Sequence, residues 1–402
     1  MLKKLMLMAL VLVTVLSIGG LSFAQEGEPI KIGAVFDLTG ATADVGTPYA
    51  AGVRGYVDWV NANGGIDGRP IELLAEDYAY QVPNAENLYA QYTGEGVVAF
   101  MGWGTGDTEA LVPRITEDEI PFMSASYSAA LVDATATPYN FLVGTSYSDQ
   151  LVILLQYMVD EWTAAGNDPA DMKVAFFHND SPFGTSPLAD GEVFAEEAGF
   201  STVRVAMPRG ATDFTAELEN ADAELDGMTH IVVQNVSSPA ALLFRNARDA
   251  GFEDVQFGCL NWCADELMIR LAEDASEGVL GAIPFAPVTV ENEGLADAQA
   301  WLEESGEYES LEEATLHYTQ GWWTMAVMTE GIRRVVEAGE EVNGPNIKAA
   351  LETLENFETG GITAPITYTA ESHAGNRALS VYRVEGGVWT SASDVIDLRA
   401  AE

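Results

Sequence analysis

Four histidines, His178, His230, His317 and His373, are the side chains best suited to acid–base or metal chemistry, and they lie far apart in the 402-residue chain. None belongs to an H-E-x-x-H pair or a metal-ligand cluster, and no Gly-x-Ser-x-Gly elbow presents a nucleophile. Asp37 and Asp77 end apolar runs and could pair as acid and base, but carboxylates in such loops more often cap helices. No enzyme activity, metal or cofactor is expected. The two cysteines, Cys259 and Cys263, flank Leu260-Asn261-Trp262. They can form a local disulfide in an oxidising compartment, although a bridge closing so short a loop adds little stability.

Two polar loops offer binding chemistry instead. Gly102-Trp103-Gly104-Thr105-Gly106-Asp107-Thr108 follows an apolar run and opens a helical stretch. Thr105 or Asp107 is expected to cap that helix, leaving first-turn N–H groups that attract a carboxylate. A cap with no ligand is the plainer alternative, and the glycines break the G-x-G-x-x-G spacing of a dinucleotide loop. Ser124-Ala125-Ser126-Tyr127-Ser128 likewise follows an apolar run and precedes a helical stretch.

The elements that must position these loops alternate. Short apolar runs at 30–36, 71–75, 97–102, 174–178, 201–206 and 230–234 are strand-like. Segments 47–63, 84–92, 108–117 and 240–250 carry apolar residues at helical spacing. Such alternation predicts an α/β fold of parallel sheets covered by helices, repeated to give two doubly wound lobes. In open parallel sheets, ligands sit beyond the carboxyl ends of strands, where both polar loops fall.

Composition narrows the partners. There are 18 basic residues against 62 acidic ones, a formal charge of −44. That field repels nucleic acid and anionic lipid, and it suits a solvated surface at high salt, where screening removes the self-repulsion. With 48% hydrophobic residues, the chain is not a charge-driven disordered tail. Lys3-Lys4, the apolar stretch Leu5–Ile18 and Ser22-Phe23-Ala24 read as a secretory signal peptide cleaved after Ala24. No cysteine lies near the cut, so a free periplasmic or secreted protein is expected, acting as a monomer.

Further segments make a resemblance specific. Leu38-Thr39-Gly40 and the stretch from Asn61 to Leu73, NANGGIDGRPIEL, resemble the leucine/isoleucine/valine-type periplasmic binding proteins, receptors of branched-chain amino-acid ABC transporters. So do Ile120–Ser124, His178–Gly184, Thr212–Phe214, Arg245–Gly251 and His317-Tyr318, in order over nearly the whole chain. The resemblance implies a type I periplasmic binding fold whose lobes close on a small polar ligand. Lobe one is expected at 28–144 and 265–365, and lobe two at 145–264 and 366–402.

It also implies the site and the partner. The loops with Trp103, Thr105, Gly106, Ser126, Tyr127 and Ser128 would meet an α-carboxylate. Tyr147, Phe183, Asn235 and Trp262, each read as lying in a loop after a strand, would face them. Tyr318 would add an aromatic from the loop before the Trp322-Trp323 helix. Receptors of this type hold an α-ammonium with an acid, but the matching positions read Tyr147 and Leu260, with Asp149 and Asp265 as neighbours able to substitute. The partner would be an ABC permease in the cytoplasmic membrane. A ligand-sensing module of the same fold is the alternative, and a hydrolase stands third.

Overall fold

The computed structural model describes residues 27–401, so the expected signal peptide lies outside the described residues. Strands β1 (Ile30–Phe36), β2 (Ile71–Asp77), β3 (Ala99–Gly102), β4 (Phe122–Ser124) and β5 (Asn140–Phe141) pair in the order β2-β1-β3-β4-β5. Every pairing is parallel. Helices α1 (Ala43–Ala62), α2 (Val82–Gly94) and α3 (Thr105–Asp118) make the crossovers. All four residues of β3 are buried, as befits a central strand of a sheet covered on both faces.

The chain then builds a second sheet through α4 (Tyr147–Ala164), β6 (Lys173–Asn179), α5 (Pro182–Thr185), α6 (Leu188–Ala198), β7 (Ser201–Met207), α7 (Thr215–Leu225) and β8 (His230–Gln234). It continues with α8 (Ser237–Asp249), β9 (Gln256–Cys259), α9 (Glu266–Ala272) and β10 (Leu280–Ile283). Helices α10 (Ala296–Ser305), α11 (Leu311–Glu337) and α12 (Gly344–Leu351) return to the first lobe. Finally β11 (Ala378–Glu385), β12 (Val388–Ser391) and β13 (Ile396–Asp397) rejoin the second sheet, ordered β12-β11-β10-β9-β8-β6-β7 with β13 on β11. The expected α/β architecture of two lobes is present.

Strand pairing corrects the expected lobe boundaries at two places. Residues 265–283 stay with the second lobe, because β10 pairs in parallel with β9 and α9 packs on α8. Residues 366–376 stay with the first, tied by bridges from Ile366 to Phe357 and from Ala374 to Leu142. The chain therefore crosses between lobes near 144, 285 and 377. Two crossings are fastened together: the Thr145 hydroxyl lies 2.7 Å from Asn376 Oδ1 and 2.8 Å from the Ala378 carbonyl. Asn376 Nδ2 donates to the Val143 carbonyl at 3.2 Å.

Helix α11 lies along α1 at backbone contact. A Cβ on Gly52 would stand 1.9 Å from the Tyr318 carbonyl oxygen, and one on Gly321 would stand 2.1 Å from that of Tyr49. Only glycine fits at both positions. Near its start α11 breaks at Thr315, which adopts φ 67° and ψ 170°. The break frees the Leu316 N–H, and buried Glu266 of α9 accepts it at 2.9 Å.

The cysteines are a correction. Both are buried free thiols, with no bridge between them. The Cys263 thiol is used locally instead, donating to the Val233 carbonyl at 3.3 Å.

Candidate functional site

A small cavity of about 20 Å³ lies between the lobes at the carboxyl ends of the strands. The first lobe supplies Thr42 and Val45, Tyr80 after β2, Trp103 to Thr105 after β3, and Ala125 after β4. The second supplies Tyr147, Phe183, Val236 and Trp262.

Capping chemistry holds the first-lobe wall. Asp107, third residue of α3, accepts the Gly104 N–H at 3.2 Å and the Tyr78 hydroxyl at 2.8 Å. Burial pushes its carboxyl up to about 7. With Asp107 capping from inside the helix, the Thr105 hydroxyl is free to meet Ser126 Oγ at 2.6 Å. Thr108 and Ser124 sit beneath this pair: Thr108 donates to the Gly104 carbonyl at 2.6 Å, and Ser124 Oγ accepts the Ser126 N–H at 2.9 Å.

Asp37 accepts both the Thr42 N–H at 2.8 Å and the Thr42 hydroxyl at 2.7 Å, and that hydroxyl oxygen accepts Trp103 Nε1–H at 2.8 Å. Asp77 accepts the Leu38 and Ala79 N–H groups and the Thr39 hydroxyl. Burial raises its pKa, but these bonds outweigh it and leave the carboxyl below its ordinary value. Both aspartates are loop fasteners, not an acid–base pair.

The second-lobe wall is aromatic. Trp262 lies in a turn after β9 and donates Nε1–H to the Tyr147 hydroxyl at 2.8 Å. Tyr127 stacks on one side of Trp262, with centroids 6.1 Å apart and planes 12° apart. His317 stacks at 4.8 Å. Gln320 joins the two, donating to the Tyr127 hydroxyl and meeting His317 Nδ1 at 2.9 Å. His317 Nε2 lies 3.3 Å from Asp265 Oδ2, and neither side chain reaches solvent. Burial raises the Tyr147 phenol, so it stays protonated and able to donate.

Hydrogen bonds join the lobes across the mouth. Asp44 Oδ2 accepts the Ser238 N–H at 3.0 Å and its hydroxyl at 2.7 Å, placing a carboxylate on the N-terminus of α8. Ser186 and Ser128 hydroxyls meet at 3.1 Å.

Of the residues expected from sequence, Trp103, Thr105, Tyr147, Phe183 and Trp262 line the cavity. Ser126 meets Thr105 at its edge, and Tyr127 supports Trp262 from behind. Ser128 lies at the rim, and a Cβ on Gly106 would face Pro182 across the cleft at 3.5 Å. Asn235 faces an outer groove and bonds to the Val236 N–H and Asn179.

Tyr147 opens a helix instead of lying in a loop, its N–H donating to the Tyr127 carbonyl at 2.7 Å. Tyr318 is a correction: it lies within α11, packed against Gly55 of α1 and Trp322, away from the cavity wall. Neither substitute acid reaches the ligand space. Asp149 pairs with Arg377 at 3.0 Å, and Asp265 is behind Trp262. Leu260 belongs to the core beneath the second sheet.

Thr42, Val45, Tyr80 and Val236 were missed. Tyr80 is aimed inward by consecutive left-handed residues, Ala79 at φ 53° and Tyr80 at φ 55°. The aromatic run after the second strand was its only sequence signal.

Residues 29–388 match the family model described as periplasmic binding protein, and the chain belongs to that family. Among curated relatives, the leucine-, isoleucine-, valine-, threonine- and alanine-binding protein of Pseudomonas aeruginosa is 22% identical, over 85% of this chain and 86% of its own length. Among solved structures, a branched-chain amino acid ABC transporter protein from Thermus thermophilus with bound valine is 27% identical, with TM-score 0.85 over 92% of this chain and 97% of that one. An ABC transporter substrate-binding protein from Aeropyrum pernix is also 27% identical, with TM-score 0.81 over 92% and 96%. The fold is the type I periplasmic binding fold, as the resemblance implied.

Proposed function

We propose that the protein is the extracytoplasmic solute-binding component of an ABC importer, holding a small polar ligand between its lobes and presenting the closed form to a permease. The ligand class is an amino acid, an amino-acid-like solute or an aromatic carboxylate. The observation that carries this reading is the inter-lobe cavity itself, with the Thr105 and Ser126 hydroxyls at the N-terminus of α3 facing aromatic rings of the other lobe. A helix N-terminus with hydroxyls suits a carboxylate, and the rings suit an apolar or planar body.

Closure follows from differential affinity: a ligand touching both walls binds the closed state more tightly than the open one. Both walls come from one chain, so a monomer is the working unit. Melting temperature read against amino acids, aromatic acids, amides and urea-like solutes tests the reading. A rise with at least one solute is expected, and no rise with any of them overturns it.

A further inference from the structure

We propose that the ligand is a carboxylate without an ammonium group, a short monocarboxylic acid with an apolar body. This rests on the solute-binding reading above and narrows it to one chemical class.

The two ends of the cavity are furnished differently. At one end the Thr105 and Ser126 hydroxyls touch, beside the first turn of α3, whose leading N–H groups have no acceptor within the helix. The Tyr147 phenol stands next to them, donating to the Ala125 carbonyl at 3.5 Å. The hydroxyl proton left over from the Thr105–Ser126 pair and the first-turn N–H groups are donors for a carboxylate. The remaining wall is Val45, Phe183, Val236 and the rings of Trp103 and Trp262, with Thr42 and Tyr80 as its polar members, and every lining residue is uncharged.

The acids nearest the cavity are committed elsewhere. Asp37 is bonded to Thr42, Asp107 to Tyr78 and Gly104, and Asp44 to Ser238 at the mouth. Asp265 faces His317 behind the Trp262 ring. A primary ammonium in this closed space would lose its water and find no anionic partner, whereas a methyl or methylene group at the same point loses nothing. As they stand the lobes leave about 20 Å³ free, roughly room for one water, so a bound acid must be short and part the walls to enter.

Calorimetric titration of the purified protein with pairs differing only in the ammonium group tests the proposal: leucine against 4-methylpentanoate, and phenylalanine against 3-phenylpropanoate. Glycine betaine is added as a control, because its methylated cation needs no hydrogen bond and suits aromatic faces. The acid of at least one pair is expected to bind about a hundredfold or more tighter than its amino acid, the discrimination that an unpaired buried charge produces. Equal or tighter binding of the amino acids overturns the proposal and leaves the solute-binding reading standing. So does tighter binding of betaine, or binding of amides and ureas alone. No heat with any of these solutes, joined to a flat melting screen, overturns both.

Discussion

The two lobes build their halves of the cavity by different means. The first lobe uses hydroxyls and helix-end amides, each fixed by a short-range bond: Asp37 to Thr42, Asp107 to Gly104, Ser124 to Ser126. The second uses rings, and its central ring, Trp262, is held by contacts from both lobes, with Tyr127 and His317 on the first and Tyr147 on the second. The polar half is thus held within one lobe, while the aromatic half draws on both. Preorganised donors confer orientation, and the packed rings confer most of the apolar contact.

Truncating Trp262 to Ala attacks the aromatic half and carries the largest effect. Loss of a buried Trp from a packed site costs about 3–5 kcal/mol, read as a drop in the urea midpoint, and ligand-induced stabilisation should vanish with it. The polar half is tested by Ser126→Ala combined with Thr105→Val. Carboxylate affinity should fall by roughly ten- to a hundredfold, with the urea midpoint within about 1 kcal/mol of wild type. If both variants lose stability equally, the two halves are not distinct in kind.

Protonation sharpens the contrast further. Burial raises Asp107 and Glu266 to about 7, with the Asp265 charge adding to the second. A raised folded-state pKa means these acids favour folding below the unfolded carboxyl value near 4, an effect lost as pH climbs to 7. His230 opposes them: burial lowers it to about 4, so its contribution is present above 6.5 and lost as pH falls. Asp107 alone lowers stability by roughly 1.4 kcal/mol per pH unit between pH 5 and 6.5, measured at high salt to screen the surface charge. Burial lowers His373 as well, and the two histidines act in the opposite sense. Asp107→Asn should flatten that slope by about one proton's worth; an unchanged slope refutes the assignment.

The mouth carries the smallest effect. Asp44→Asn weakens the contact with the N-terminus of α8, worth about 0.5–1.5 kcal/mol, and should speed ligand release several-fold while leaving association nearly unchanged. A change in association instead would place Asp44 in capture, not in closure.

Much of this was legible in the residues. Runs of two-sided apolar strands, as in His230–Gln234, and loops at their carboxyl ends pointed to Trp103, Thr105 and Ser126, because strand-end position alone decides which loops face the cleft. Direction within a packed interface is a different matter. Tyr318 sits in the groove that Gly52 and Gly55 open on α1, a pairing between segments more than 250 residues apart that no local pattern records. Tyr80 depends on two left-handed residues, neither of them glycine, and left-handed backbone is costly enough elsewhere that sequence does not announce it. The lobe boundary after Ala264 was misplaced because α9 and β10 continue the second sheet without any composition break.

The close approach of α1 and α11 at Gly52 and Gly321 has a mechanical consequence. At those two glycines no side chain separates the helices, and Tyr56, Trp59 and Trp322 pack the rest of the seam. The helix pair meets the other lobe at separate points, through Asp44 at the head of α1 and through His317 on α11. Asp44 lies eight residues from Gly52, about 12 Å along the axis, so the two attachments are well separated. If the lobes part, both the Asp44 and the His317 contacts are expected to break together.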